Sequence, residues 1–173
     1  MTRNKYEIGD LVVYGTNGLC TIEGVEMMSF GAGLPENPYY VLRPDSNSES
    51  TVYVPINNEK LVGKLRKLLT EDEINEAIAY CKDTEFVWDN DRRYRNERFR
   101  QILAGGVHRD VLCMIRCIYE RKHALAIDGK KLPTTDNNIL KQAEKLVNEE
   151  FSYVLKITPN EVGEYIKSRL EID

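Results

Sequence analysis

Nine lysines and arginines fall between residues 92 and 122, at positions 92, 93, 95, 98, 100, 109, 116, 121 and 122. Only Glu97, Asp110 and Glu120 oppose them there, so the stretch carries +6 in a chain of net charge −4. Guanidinium groups remain charged and bind phosphate oxygens bidentately. A dense arginine run in an acidic chain therefore points to a nucleic-acid backbone. Arg92 and Arg93 head the run. On a helical wheel Arg93 and Arg100 share a face away from Phe99 and Leu103. Arg109 and Arg116 repeat the spacing, opposite Ile115 and Ile118. Two consecutive helices are thus expected to offer solvent an arginine row each. The competing reading is a solvated face laced by helical ion pairs.

Trp88, the only tryptophan, stands just before this run. Two roles are open to it. A Trp at a helix entrance packs into the core as a staple. Alternatively, an exposed aromatic wedges at a disturbed base step. Asp89 and Asp91 beside it disfavour close phosphate contact. Met28 and Tyr53, in the first third of the chain, have the same two options: part of a protein-binding strand surface, or simply core.

Catalysis finds no support. There is no GxSxG, HExxH or P-loop pattern, and the two histidines, His108 and His123, have no nucleophile at a recognisable spacing. Many carboxylates fall in helix first turns, where they serve the helix dipole. The four cysteines lack CxxC spacing, so no metal and no cofactor is expected, and the thiols read as reduced, small hydrophobes. No run of eighteen apolar residues exists to span a membrane, and the first ten residues lack the apolar run of a signal peptide. A cytoplasmic, non-enzymatic protein is expected, with no small-molecule substrate.

The elements that must position these residues fall into two classes, giving an α+β chain of two domains. Residues 5–66 read as short strands: 11–14, 19–27, 39–42, 51–54 and a fifth near 61–66, rich in β-branched and aromatic residues. Turn signals at 16–18, 31–35 and 45–48 separate them. Close spacing of short strands suggests a small antiparallel barrel over residues 1–68. From Thr70 the period changes. Thr70-Glu71-Asp72-Glu73 is a capping box, and Ile74, Ala77, Ile78 and Cys81 follow at helical spacing. Residues 69–83 are expected to form a connecting helix. Residues 84–173 read as an all-helical domain, with helices near 89–104 (closed by Gly105-Gly106), 108–122, a third ending near 154, and a last one opened by Thr158-Pro159-Asn160-Glu161. Residues 1–83 carry −5 and residues 84–173 carry +1. The first part is thus a poor nucleic-acid binder and a better protein binder.

These residues resemble a known family. Ile8-Gly9-Asp10-Leu11-Val12-Val13-Tyr14, then Gly18, then Tyr40-Val41-Leu42, then Val52-Tyr53-Val54-Pro55 looks like the N-terminal domain of the CarD family, a module shared with the transcription-repair coupling factor. The helical half is similar as well: Trp88, Arg92-Arg93-Tyr94, Ala104-Gly105, Met114-Ile115-Arg116 and a helix around 143–150. The resemblance implies a bacterial transcription regulator with a Tudor-like barrel that binds the RNA polymerase β subunit. It implies a helical domain that binds promoter double-stranded DNA at the upstream edge of the −10 element and holds the open complex. Trp88 matches the family's minor-groove wedge, Met28 and Tyr53 match polymerase-contacting positions, and Arg121 matches a DNA-contacting arginine. Three features depart from the pattern. Asp89-Asn90-Asp91 lengthens the spacing from Trp88 to Arg92, Asn137 replaces a lysine, and Met28 and Tyr53 stand where the family has arginines. The candidate DNA-binding set is therefore Trp88, Arg92, Arg93, Arg100, Arg109, Arg116 and Arg121. A protein–protein adaptor that never touches DNA is the rival reading.

Overall fold

A computed structural model describes residues 5–170 of the chain. The chain divides into two compact units, Met1–Leu68 and Leu69–Asp173.

The first unit is a five-stranded antiparallel sheet. In chain order come β1 (Leu11–Tyr14), β2 (Leu19–Met28), β3 (Asn37–Pro44), β4 (Val52–Pro55), a single helical turn α1 (Glu59–Val62) and β5 (Leu65–Lys67). Their order across the sheet is β4-β3-β2-β1-β5. The sheet is open: β4 and β5 lie at opposite ends and do not pair with each other. The closed barrel expected from strand spacing is thus not formed by hydrogen bonding. Both end strands are short, and α1 takes up the chain between them. Gly18 turns β1 into β2 at φ +69, a conformation that side chains with a Cβ avoid. β2 carries a bulge between Ile22 and Gly24, which leaves Glu23 outside the pairing. Alternation along β3 turns Tyr40 and Leu42 inward, where they meet Val12, Cys20, Ile22, Val54 and Leu65. Tyr6 closes the far side, donating its hydroxyl to the Leu65 carbonyl at 2.8 Å, while Tyr40 Oη accepts from the Lys5 and Tyr6 amides.

Among the described residues the second unit holds five helices: α2 (Glu71–Asp83), α3 (Arg92–Gly105), α4 (His108–Ile127), α5 (Thr134–Leu155) and α6 (Pro159–Leu170). Thr70 caps α2 with both bonds of the capping box present, Thr70 Oγ1 accepting from Glu73 N and Glu73 Oε2 from Thr70 N. Such a cap contributes about 1 kcal/mol. α2 is not a connector. Its Ile74, Ala77, Ile78 and Cys81 lie in one core with Phe99, Leu103, Met114, Ile118, Leu140, Val147, Phe151 and Val162. Its apolar stripe needed a partner, and the other four helices supply it. α3 ends where the two glycines stand, with Gly106 left-handed at φ +64 and its N–H on the Ile102 carbonyl. α4 runs one turn beyond the expected 122, to Ile127.

Two carboxylates are buried in this unit. Glu150 accepts from the Leu69 amide at 2.9 Å and lies 2.5 Å from His108 Nε2. Asp136 is bound by Arg95. All four cysteines are buried. Burial pushes the Cys113 thiol up to about 12 and the Cys117 thiol to about 11, and raises Cys81 as well. Apolar surroundings disfavour a thiolate.

Candidate functional site

The basic run occupies α3 and α4, and the structure sorts its nine cations into two groups. Arg92, Arg93, Arg100, Arg109 and Lys122 are exposed. Arg95 is buried, and Arg98, Arg116 and Arg121 are half-buried.

The inward group has definite partners. Arg95 lies on the stripe that also buries Phe99, one helical turn on. It makes a two-pronged ion pair with Asp136 of α5, Nε to Oδ1 at 3.0 Å and Nη2 to Oδ2 at 2.8 Å. Its remaining nitrogen Nη1 donates to the Asp89 carbonyl at 2.6 Å. Arg98 sits over the Phe86 ring at 4.1 Å and donates to the Val87 carbonyl at 3.3 Å. These two arginines fold the segment between α2 and α3 back onto α3. Asp91 completes the arrangement: Oδ1 accepts from the Arg93 and Tyr94 amides and caps α3.

Trp88 rides on that segment. Its ring is half-buried, edge-on to Phe99 at 6.1 Å and 63°. The Arg95 guanidinium lies 4.2 Å from the ring centroid and that of Arg121 lies 5.7 Å away. Trp88 thus packs one side on the core and retains exposure on the other. Arg121 is committed to this stack, and its Nε is buried with no hydrogen-bond partner.

Arg116 corrects the expected second row. It does not stand out in solvent beside Arg109. Its Nη1 donates to the Cys81 carbonyl at 2.6 Å and its Nε to Glu120 at 2.8 Å. The last carbonyls of α2 lack intrahelical donors, and Arg116 satisfies one of them. Arg109 is exposed, with its guanidinium 5.0 Å from the Tyr80 ring centroid and 4.0 Å from Asp110.

The outward group keeps its charge available. Arg93 and Arg100 form no ion pair among the described residues, and Glu97 accepts from Gln101 instead. Arg92 Nη2 reaches Thr135 Oγ1 at 3.3 Å, so the starts of α3 and α5 are neighbours. The first turn of α3 contains no acid. Two arginines at the positive end of a helix dipole oppose the usual preference for carboxylates there, at a cost of a few tenths of a kcal/mol up to about 1 kcal/mol each. The Asp91 carboxylate at the N-cap offsets part of that cost.

The sheet unit carries a separate surface. Tyr53 lies on β4, an end strand whose outer side is unpaired among the described residues. Its ring is 6.2 Å from Phe30, edge to face, and Phe30 in turn lies 5.2 Å from Tyr39. Phe30 is 63 % exposed. Met28, at the end of β2, is half-buried and pairs with Asn37. Phe30 and Tyr39 are additions that the sequence reading missed. For Tyr39 the signal was alternation, since it faces opposite to the buried Tyr40. Phe30 lies in a loop without a period. An open strand edge beside exposed aromatics suits strand addition by a protein partner.

No helix of the described residues is long and apolar enough to cross a membrane. No curated protein matches the chain at a significant level. A family model does match: residues 6–69 fit the CarD-like/TRCF RID domain, a stretch that covers all five strands. The sheet unit is therefore similar to the CarD-like/TRCF RID domain.

Proposed function

We propose that the chain is a bacterial transcription regulator that acts by binding, without catalysis, in the cytoplasm. The sheet, curled as a Tudor-like module, anchors on the RNA polymerase β subunit through the free edge of β4, Tyr53, Met28 and the Phe30–Tyr39 pair. The family match over residues 6–69 supports the polymerase step. The helical unit then meets promoter DNA near the −10 element at a high local concentration. Arg92, Arg93, Arg100 and Arg109 hold phosphates, and Trp88, on its pinned segment, props the edge of the opened duplex. Unstacking a base step costs a few kcal/mol, so a side chain that stabilises the unstacked form shifts the melting equilibrium. Arg116 and Arg121 contribute by holding this scaffold. The observation that carries the DNA step is the exposure of Arg92, Arg93 and Arg100 on α3, none of which forms an ion pair among the described residues.

The rival reading, an adaptor that binds only protein, draws on the inward commitment of Arg95, Arg98, Arg116 and Arg121 and on the half-burial of Trp88. One experiment separates the two. The chain is tested for capture by the isolated polymerase β lobe and for its effect on open-complex lifetime at a single promoter. The proposal expects Tyr53→Ala to lose capture and Arg93→Glu to shorten the lifetime while capture is retained. Retained capture with an unaltered lifetime in Arg93→Glu and Arg100→Glu would establish the adaptor.

A further inference from the structure

The two end strands of the sheet differ in what they offer to another strand. Among the described residues the outer side of β4 is unpaired. The bond from the Ile56 amide to the Pro38 carbonyl sets the phase of the β3–β4 ladder. Val54 lies opposite Tyr40 and Val52 opposite Leu42, so both share the phase of Ile56 and turn their backbone polar groups to β3. Thr51 and Tyr53, at the alternate positions, turn theirs outward. Pro55 has the same outward phase but no N–H, so a ladder stops there.

The edge is also uncharged. From Ser50 to Asn58 the sequence holds no acid and no base. At the opposite end, Lys64, Arg66 and Lys67 lie on and beside β5. Lysines on an edge strand keep other edges away, and β4 lacks that guard. The difference matters most for a second copy of the chain. A two-fold axis sets the same surface patch against itself, so a charge on the edge would meet its like. On β4 nothing repels.

A symmetric antiparallel pairing fits these groups. With Thr51 opposite Tyr53 of the second copy, Pro55 stays outside the ladder. The two-fold axis produces this pair twice, and each pair exchanges two backbone bonds. Val52 then meets Val52 of the second copy on the face that carries the core, so an apolar contact accompanies the bonds. The joint is short, as weak and transient interfaces are.

We propose that the chain self-associates through β4 into a two-fold dimer, and that this dimer masks the edge that meets RNA polymerase. The inference rests on the polymerase reading of the sheet unit and deepens it, by naming a second copy as the competing partner. Polymerase capture then requires the dimer to part, so the active fraction falls as the chain becomes abundant.

The test uses the full chain. Sedimentation over a concentration series should show a reversible dimer. Thr51→Pro, which removes one outward N–H from each copy, should shift the chain to monomer. Val52→Cys tests the register. A directly opposed pair of this kind sets its Cα atoms about 4.5 Å apart, within the roughly 4.4–6.8 Å that a disulfide spans. The four native cysteines are buried and stay out of reach. With oxidised glutathione Val52→Cys should give a disulfide-linked dimer, whereas Lys60→Cys, exposed but outside the pairing, should not. The isolated polymerase β lobe should capture Val52→Cys after reduction and fail to capture its oxidised dimer. A chain that stays monomeric at every concentration overturns the proposal, as does a dimer in which Val52→Cys does not cross-link. Both results leave the polymerase reading standing if the lobe still captures the chain. Equal capture of the oxidised and reduced forms also overturns the proposal. If the lobe captures neither form nor the native chain, the polymerase reading falls and the masking with it.

Discussion

The Arg95–Asp136 pair is where the fold of the helical unit and the position of Trp88 meet, and it allows a quantitative prediction. Asp136 is fully buried and Arg95 is 5 % exposed at its side chain. Both carboxylate oxygens and all three guanidinium nitrogens have partners: Asp136 twice, and the Asp89 carbonyl. Asp136→Ala removes one partner and strands the other charge in the core. Breaking a buried pair in this way costs about 3–5 kcal/mol. For a unit of this size each kcal/mol lowers Tm by about 4 °C, so the fall should be about 12–20 °C. Asp89 and the Trp88 ring still contact Arg95, which favours the lower end of that range. Far-UV circular dichroism reads the melt. Trp88, as the only tryptophan, reads its own surroundings by fluorescence, and its emission should shift red as the segment loosens. The companion variant is Arg95→Met/Asp136→Leu. Exchanging a buried ion pair for apolar residues of similar volume is often neutral or stabilising. The double variant should therefore recover most of the lost stability while Trp88, deprived of its guanidinium lid, remains red-shifted. A loss below about 1 kcal/mol in Asp136→Ala, the size of an exposed pair, would refute the burial argument. Additive losses in the double variant would show that the two residues are not coupled.

Three further expectations follow from the sorting of the cations and from the thiols. Arg93→Glu and Arg100→Glu should each reduce the slope of log affinity against log salt by about one and leave the melt unchanged, since each removes one phosphate contact. Arg116→Ala should do the opposite. It loses the bond to the Cys81 carbonyl and should lower stability by about 1–3 kcal/mol in urea titrations, with no change in salt slope. The cysteines set a pH dependence. Burial holds Cys113 near about 12 and Cys117 near about 11, whereas the unfolded thiols ionise near 9.0. Above that value the unfolded state releases protons and the folded state does not, so unfolding gains. The stabilisation is complete below about pH 9 and declines as pH rises from there through the folded values. Urea midpoints measured from pH 8 upward should fall accordingly, and iodoacetamide should label the native chain at pH 8 only after denaturant is added. Rapid labelling of the native chain would refute this account of the thiols.

The sequence displays local determinants well and long-range ones poorly, and particular residues show why. Thr70-Glu71-Asp72-Glu73 is a complete capping box, and Gly105-Gly106 closes α3, because both devices use neighbours within four residues. The strands of the sheet are visible in their β-branched and aromatic runs. Their closure is not, since whether β4 meets β5 depends on strand length and on the path through α1, a single turn capped by Asn58 with no apolar period of its own. α2 shows a further limit. Ile74, Ala77, Ile78 and Cys81 announce a buried face but not which unit buries it, so the same stripe fits a connector and a core helix equally well.

The basic run is the most instructive case. Its count of nine cations against three acids is correct, yet it overstates the positive charge left in solvent. Asp136 lies 41 residues from Arg95 in sequence and cancels its charge from another helix. One clue was present: Arg95 stands four residues before Phe99, on the buried stripe of α3, where a solvated arginine does not belong. A cation on an apolar stripe implies a buried anion elsewhere, because an unpaired charge there costs several kcal/mol. Applied to α4, the same test leaves Arg109 outside and draws Arg116 toward the end of α2. Of the arginines that remain in solvent, Arg92, Arg93 and Arg100 lie on α3 and Arg109 on α4. The exposed arginine charge thus narrows from two helical rows to these four side chains. The segment that carries Trp88 is held in place by Arg95 and Arg98, two of the nine cations in the count.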